Sequence, residues 1–262
     1  MTIGLEWISQ ASWKRYLKAL REINDRAYKA SFTYLERYGV PVTTEDIYDF
    51  IQMMYAISVK YGNASAAVAC QMYDSIAAAY KVSVPPAVPA ATATFSETAK
   101  AVVGAAKTGS NEVISGAVAR QVKMAGVDTT MQNAIRDGAE WAWIPVGETC
   151  AYCIALAGNG WQRASKKALK NGHAEHIHAN CDCTYAVRFN SSGGVEGYDP
   201  DRWRGMYLTA DLDGEAPTHE NLVNALRREL YAENREKILA QKRSAYETSR
   251  ALESSAAEEV KA

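Results

Sequence analysis

A surplus of either charge is missing from this 262-residue chain: 29 Lys and Arg face 30 Asp and Glu, a formal net charge of −1. That balance gives no global nucleic-acid signature. Long hydrophobic runs are missing too. None approaches the length of a membrane span, so no membrane partner is expected. The first residues, Met1-Thr2-Ile3-Gly4-Leu5-Glu6-Trp7, lack a basic region followed by an apolar run, and no export signal is expected. The acceptor patterns at Asn63 and Asn190 then carry no weight. There is no Gly-x-x-x-x-Gly-Lys loop, and Lys107-Thr108-Gly109 has no Ser-x-x-Lys partner, which sets aside phosphate-loop and penicillin-recognising chemistry. Cysteine and histidine are scarce, five and four residues, yet four of the cysteines and three of the histidines lie between Cys150 and Cys183.

That gathering reads as zinc. Two cysteines separated by two residues can turn both sulfurs toward one ion, and a later cluster completes a tetrahedron of thiolate and imidazole. Cys150 and Cys153 form the first half, and the preferred set adds His178 and Cys181. Cys183, His176 and His173 stand as alternates, and Asn180 and Asp182 are candidates to orient the imidazole. Disulfides would suit an oxidising compartment. A redox Cys-x-x-Cys normally starts a helix after a strand and needs no His and Cys cluster downstream. A chance assortment of thiols is the third rival. Four protein ligands rich in thiolate close a site, whereas catalytic zinc keeps a position open for water, so the zinc is expected to be structural and no catalytic residue is assigned. His173-Ala174-Glu175 spells the deaminase His-x-Glu element, but its order relative to Cys-x-x-Cys is reversed. An HNH-type arrangement of His, Asn and His is not clear either. A zinc-supported nuclease or other nucleic-acid-processing enzyme remains the competing class, motivated by surplus histidines and a basic spacer.

Along the chain, Ser12 can cap a long helix in which Trp13, Tyr16, Leu20, Ile23, Ala27 and Tyr34 recur at helical steps, ended by Gly39 and Pro41. A second helix starts near Thr43 and runs to Gly62; a third, alanine-rich one spans Ala64 to Tyr80 and can pack closely. Cys70 within it reads as a small buried apolar residue. Pro85, Pro86 and Pro89 among small residues cannot continue a helix and mark a linker. Helices over Ser96–Lys107 and Asn111–Met124, then a short one over Thr129–Arg136, lead to an alternating strand at Trp141, Trp143 and Ile144.

Between the cysteine pairs, Arg163, Lys166, Lys167 and Lys170 fall in a short helical segment, with Arg188 on the strand beyond. Such a patch can contact DNA phosphates, and a solvated basic face is an equal reading. After Asn190 a flexible connection precedes the aromatic segment Tyr198 to Tyr207, which would dock on this protein or on a partner. A charged helix from about His219 to Leu252 then carries a thin stripe of Leu222, Leu226, Leu230 and Ile238, a stripe that often needs a partner. The expected fold is mostly α: an N-terminal helical region, a small zinc-stabilised α+β module, and a long C-terminal helix. The expected divisions are a helical domain over 1–82, a linker over 83–94, a domain over 95–190 with its zinc module at 141–189, and a connection and helical tail over 191–262.

Glu148-Thr149-Cys150-Ala-Tyr-Cys153-Ile-Ala-Leu-Ala-Gly158, followed by His178-Ala-Asn-Cys181-Asp-Cys183-Thr184, resembles the C-terminal domain of the Mu F-like phage minor head proteins, also called head morphogenesis proteins. That pattern carries an acidic residue and Thr-Cys-x-x-Cys, a Leu-Asp-Gly turn, then His-Pro-Asn-Cys-Arg-Cys and a strand. Here Ala157, Ala179 and Asp182 replace the acidic residue, the proline and the arginine, and every candidate ligand stays. The specific part covers about Trp141 to Phe189. The resemblance implies a structural protein of the virion, assembled in the bacterial host cytoplasm. It implies docking to the portal or inner capsid, a connection with packaged DNA, and assembly through protein contact, which the C-terminal helix would support.

Overall fold

The computed structural model describes residues 7–41, 44–146, 149–165, 183–236 and 239–240. Lys166, Lys167, Lys170, His173, His176, His178, Cys181 and Ile238 therefore lie outside the described residues. The described chain divides into two compact units, one of 1–149 with 159–200, the other of 150–158 with 201 onward.

The first unit is built on four helices: α1 (Gln10–Tyr38), α2 (Thr44–Ala79), α3 (Phe95–Ala106) and α4 (Asn111–Asp137). α1 starts slightly earlier than its apolar pattern indicates, because the Ser9 hydroxyl accepts the Ser12 N–H and satisfies an exposed first-turn donor. Gly39, in left-handed backbone at φ 72, closes it as expected. Thr94 and Glu97 form a reciprocal capping box on α3. Ala27 and Leu35 of α1, Phe50 and Met54 of α2, Val102 of α3, and Ile114, Val118 and Val122 of α4 share one core.

Two helices are longer than their sequence punctuation indicates. α2 runs unbroken through Gly62, and α4 through Gly126, joining the segments that the sequence separates. Both glycines sit where another chain segment comes too near for a side chain. A Cβ on Gly62 would lie 2.8 Å from Thr92 Cγ2, and one on Gly126 would lie 2.6 Å from Ser65 Oγ. Buried Ala66 and Ala69 continue the small-residue face of α2.

The stretch expected as a linker, 83–94, is extended, as its prolines require, but α4 holds it in place. Asn133 Oδ1 accepts the Val88 N–H while Asn133 Nδ2 donates to Val88 O. Thr129 Oγ1 accepts the Ala90 N–H, and Arg136 donates to the carbonyls of Pro85 and Pro86. Side chains of one helix thus satisfy the backbone groups that an extended segment would otherwise leave bare, and helices on both sides of it contribute to one core.

A three-stranded antiparallel sheet follows, in the order β3-β2-β4, with β2 at Glu140–Ile144, β3 at Gln162–Arg163 and β4 at Thr184–Arg188. Trp141 and Trp143 of β2 each meet Tyr185 of β4 edge-on, with centroids 4.7 Å apart. Two short strands, β1 (Trp7–Ile8) and β5 (Gly194–Val195), pair in parallel. The second unit holds α5 (Ala151–Ala157), α6 (Pro200–Leu208, counted from Asp201 in this unit) and helical backbone over 219–236, here α7. Among the described residues, no helix is long and apolar enough to cross a membrane.

Candidate metal centre

Cys150 is the N-cap of α5, with extended backbone and no side-chain capping hydrogen bond, and Cys153 is the third residue of that helix. Cys-x-x-Cys therefore opens a helical first turn, and Cys153 is only 2% exposed. Burial, followed by the neighbouring Cys153 and Cys150, holds the Tyr152 hydroxyl above its ordinary value. The sequence places one redox criterion here as well, a Cys-x-x-Cys at a helix start after a strand, and the order β2 then α5 meets that criterion.

α5 belongs with the C-terminal helices, which sequence reasoning missed. Ala151, Ile154 and Ala155 share a core with Ala210, Leu222, Val223 and Leu226, flanked by Trp203 and Met206. The apolar stripe of α7 is thus covered within the chain at Leu222 and Leu226. The signal was available: the buried face Ala151, Ile154, Ala155 has helical spacing. Gly158 at the end of α5 has ordinary right-handed backbone, φ −65, and is not a turn glycine. It lies against α6, where a Cβ would sit 2.9 Å from both the N and Cα of Arg204. Arg204 Nε donates to the Gly158 carbonyl at 3.0 Å.

In the first unit, Cys183 enters β4 and is 2% exposed. Its Sγ accepts the Val146 backbone N–H at 3.4 Å. Burial first, then Asp74, pushes the Cys70 thiol up, in keeping with an inert helical cysteine. Among the described residues no group of three or more His, Cys, Asp or Glu converges; the remaining candidate ligands lie outside them.

The basic patch is corrected at two positions. Arg163, expected in a helix, lies in β3 with its side chain exposed, because Gln162 and Arg163 pair with Trp141 and Glu140. Arg188 is engaged internally: it donates to Glu140 Oε2 at 2.6 Å and to the carbonyls of Ser191 and Gly193, and its guanidinium lies 4.7 Å from the Trp161 ring centroid. Tyr198, from the aromatic segment, also meets Trp161 edge-on.

A separate cleft of about 500 Å³ opens beside the extended segment, with Glu97, Arg120 and Asp128 on its walls. Burial, and then the charge of Glu97, lift the Asp128 carboxyl from 3.8 to about 6, while Arg120 opposes the shift.

Residues 7–210 match the family model described as VG15 protein. Comparison with curated proteins and with solved structures gives no match. The match begins at β1, takes in the described residues of the first unit and continues through α6, and on that extent the chain belongs to the VG15 protein family, a family of viral proteins.

Proposed function

We propose that this chain is a phage minor head protein that acts in head morphogenesis, docking to portal or inner capsid protein, with a structural zinc ion in its 141–189 module. The reading rests on one combination: a ligand constellation that resembles the Mu F-like pattern, in a chain that belongs to a viral family. The proposed ligands are Cys150, Cys153, His178 and Cys181, with Cys183, His176 and His173 as alternates. The donor chemistry suits zinc. Cys153 and Cys183 are buried thiols, and an N–H pointed at Cys183 Sγ is the kind of outer contact that steadies a ligating sulfur. Zinc bound by four protein groups contributes folding energy to a small module and leaves no position open for chemistry, so the protein works as an assembly component and not as an enzyme.

Co-expression with the portal or coat protein of the same phage tests the docking. A complex that survives gel filtration, or incorporation into procapsids, is the expected result; a chain that assembles with neither overturns the proposal. The basic residues have their own test. Duplex DNA binding at low salt that falls when Arg163, Lys166, Lys167 and Lys170 are changed to Ala would give them a phosphate-contacting role, and unchanged binding would leave them a solvated face.

A further inference from the structure

We propose that a small cavity of the first unit, between α1, α2 and α4, binds one monocarboxylate of about formate size. The cavity is lined by Arg21 and Asn24 of α1, Ser65 of α2, Lys123 of α4 and Thr184 of β4, with Leu17 and Leu20 as an apolar wall. Positions 17, 20, 21 and 24 share one face of α1, which is why a single helix supplies both the wall and the polar groups.

The observation that points to a ligand is electrostatic. Lys123 Nζ is buried and has no hydrogen-bond partner, and Asn24 Oδ1 is likewise buried without one. An ammonium taken out of water is costly unless an opposite charge meets it. Lys123 is thus met by no acidic group among the described residues lining the cavity. Water would supply hydrogen bonds to Lys123 but no charge.

Size selects among anions. The cavity has about 30 Å³ of space, room for about two water-sized atoms. Two positions match the two oxygens of a carboxylate and are too few for the four of phosphate. One oxygen accepts from Lys123. The Asn24 amide, turned so that Nδ2 faces inward, donates to the other, a turn that costs no shape because the amide O and N are nearly isosteric. The leucine wall lowers the local dielectric and strengthens the pairing.

The test is thermal unfolding of the full chain in a formate titration at fixed ionic strength, with formamide as the neutral analogue of the same size. The expected result is a saturable rise in Tm with formate and none with formamide, as mass action requires of a ligand that binds only the folded state. Lys123→Met abolishes the rise, while Lys18→Met, at an exposed residue, leaves it intact. Should Lys123→Met fail to fold, carbon-13 formate NMR on the wild type reads the same site, and one saturable binding event per chain is expected. An equal effect from formamide, a rise that never saturates, or a rise that persists in Lys123→Met overturns the proposal.

Discussion

Gly158→Ala puts the packing of the Cys-x-x-Cys helix to a sharp test. The new methyl carbon would lie 2.9 Å from the N and Cα of Arg204 and 3.3 Å from the carbonyl carbon of Trp203. These are backbone atoms, so no rotamer change relieves the overlap, and α6 must retreat by about half an ångström to reach ordinary contact. Trp203 and Met206 ride on α6 and pack beside the α5 and α7 core, so the retreat loosens their contacts. Overpacking of this kind costs about 1–3 kcal/mol. Misalignment of the Arg204 bond to the Gly158 carbonyl adds about 1 kcal/mol. In the opposite direction, alanine is at ease at φ −65 and restricts the unfolded chain, a gain of about 0.4–1 kcal/mol. The net expectation is destabilisation by about 1–3 kcal/mol. Gly104→Ala supplies the control, because Gly104 is an exposed residue inside α3 with nothing within 4 Å of its virtual Cβ. There the same chemical change should stabilise by about 0.5–1 kcal/mol. Urea unfolding followed by circular dichroism and tryptophan fluorescence measures both. A Gly158→Ala midpoint at or above the wild type would refute the close approach of α6 to α5.

Three further outcomes follow from named contacts. Arg188→Ala removes a guanidinium that reaches Glu140, two carbonyls and the Trp161 face, and should cost about 2–3 kcal/mol in urea unfolding, with Lys giving incomplete rescue because it lacks the planar fork. Arg163→Ala, at an exposed residue of β3, should change stability by less than about 0.5 kcal/mol. Asp128, with its folded value raised from 3.8 to about 6, binds more protons folded than unfolded; its contribution is fully present below pH 3.8 and lost as pH rises through 6. Asp128→Asn should therefore flatten the decline of stability between those pH values and raise stability at pH 7 by about 1–3 kcal/mol, and a decline that persists in the variant would rule Asp128 out as its source.

The apolar periodicity made the helices legible, and it named part of what they bury: Trp13, Tyr16 and Ala27 on α1 are all core residues. The strand at Trp141 and Trp143 was legible for the same reason. Boundaries at glycine were not. Gly62 read as a helix end, and the helix through Gly126 was divided between Met124 and Thr129, because glycine at a C-cap and glycine at a close approach look alike in one dimension. Only the positions of Thr92 and Ser65 in space separate the two meanings. Prolines correctly ended α2, but that Asn133, Thr129 and Arg136 would hold the extended segment depends on residues some 40–50 positions later. The helical spacing of Ala151, Ile154 and Ala155 was there to be read, but not which helices that face would meet. The short apolar face of α5 is interleaved with two cysteines that draw attention to ligand chemistry, and its partners begin at Trp203. The thin stripe on α7 likewise gave no sign that Leu222 and Leu226 would meet α5 and not another protein.

A structural zinc ion held by Cys150, Cys153, His178 and Cys181 is tested by the metal content of protein purified without added metal, paired with thermal unfolding before and after chelation. About one zinc per chain is expected, lost on chelation together with the folded signal of the 141–189 module, as follows when metal binding and folding are coupled. A metal-free chain of unchanged stability, with Cys150 and Cys153 cycling to a disulfide under mild oxidation, would contradict it and identify the Cys-x-x-Cys helix as a redox pair.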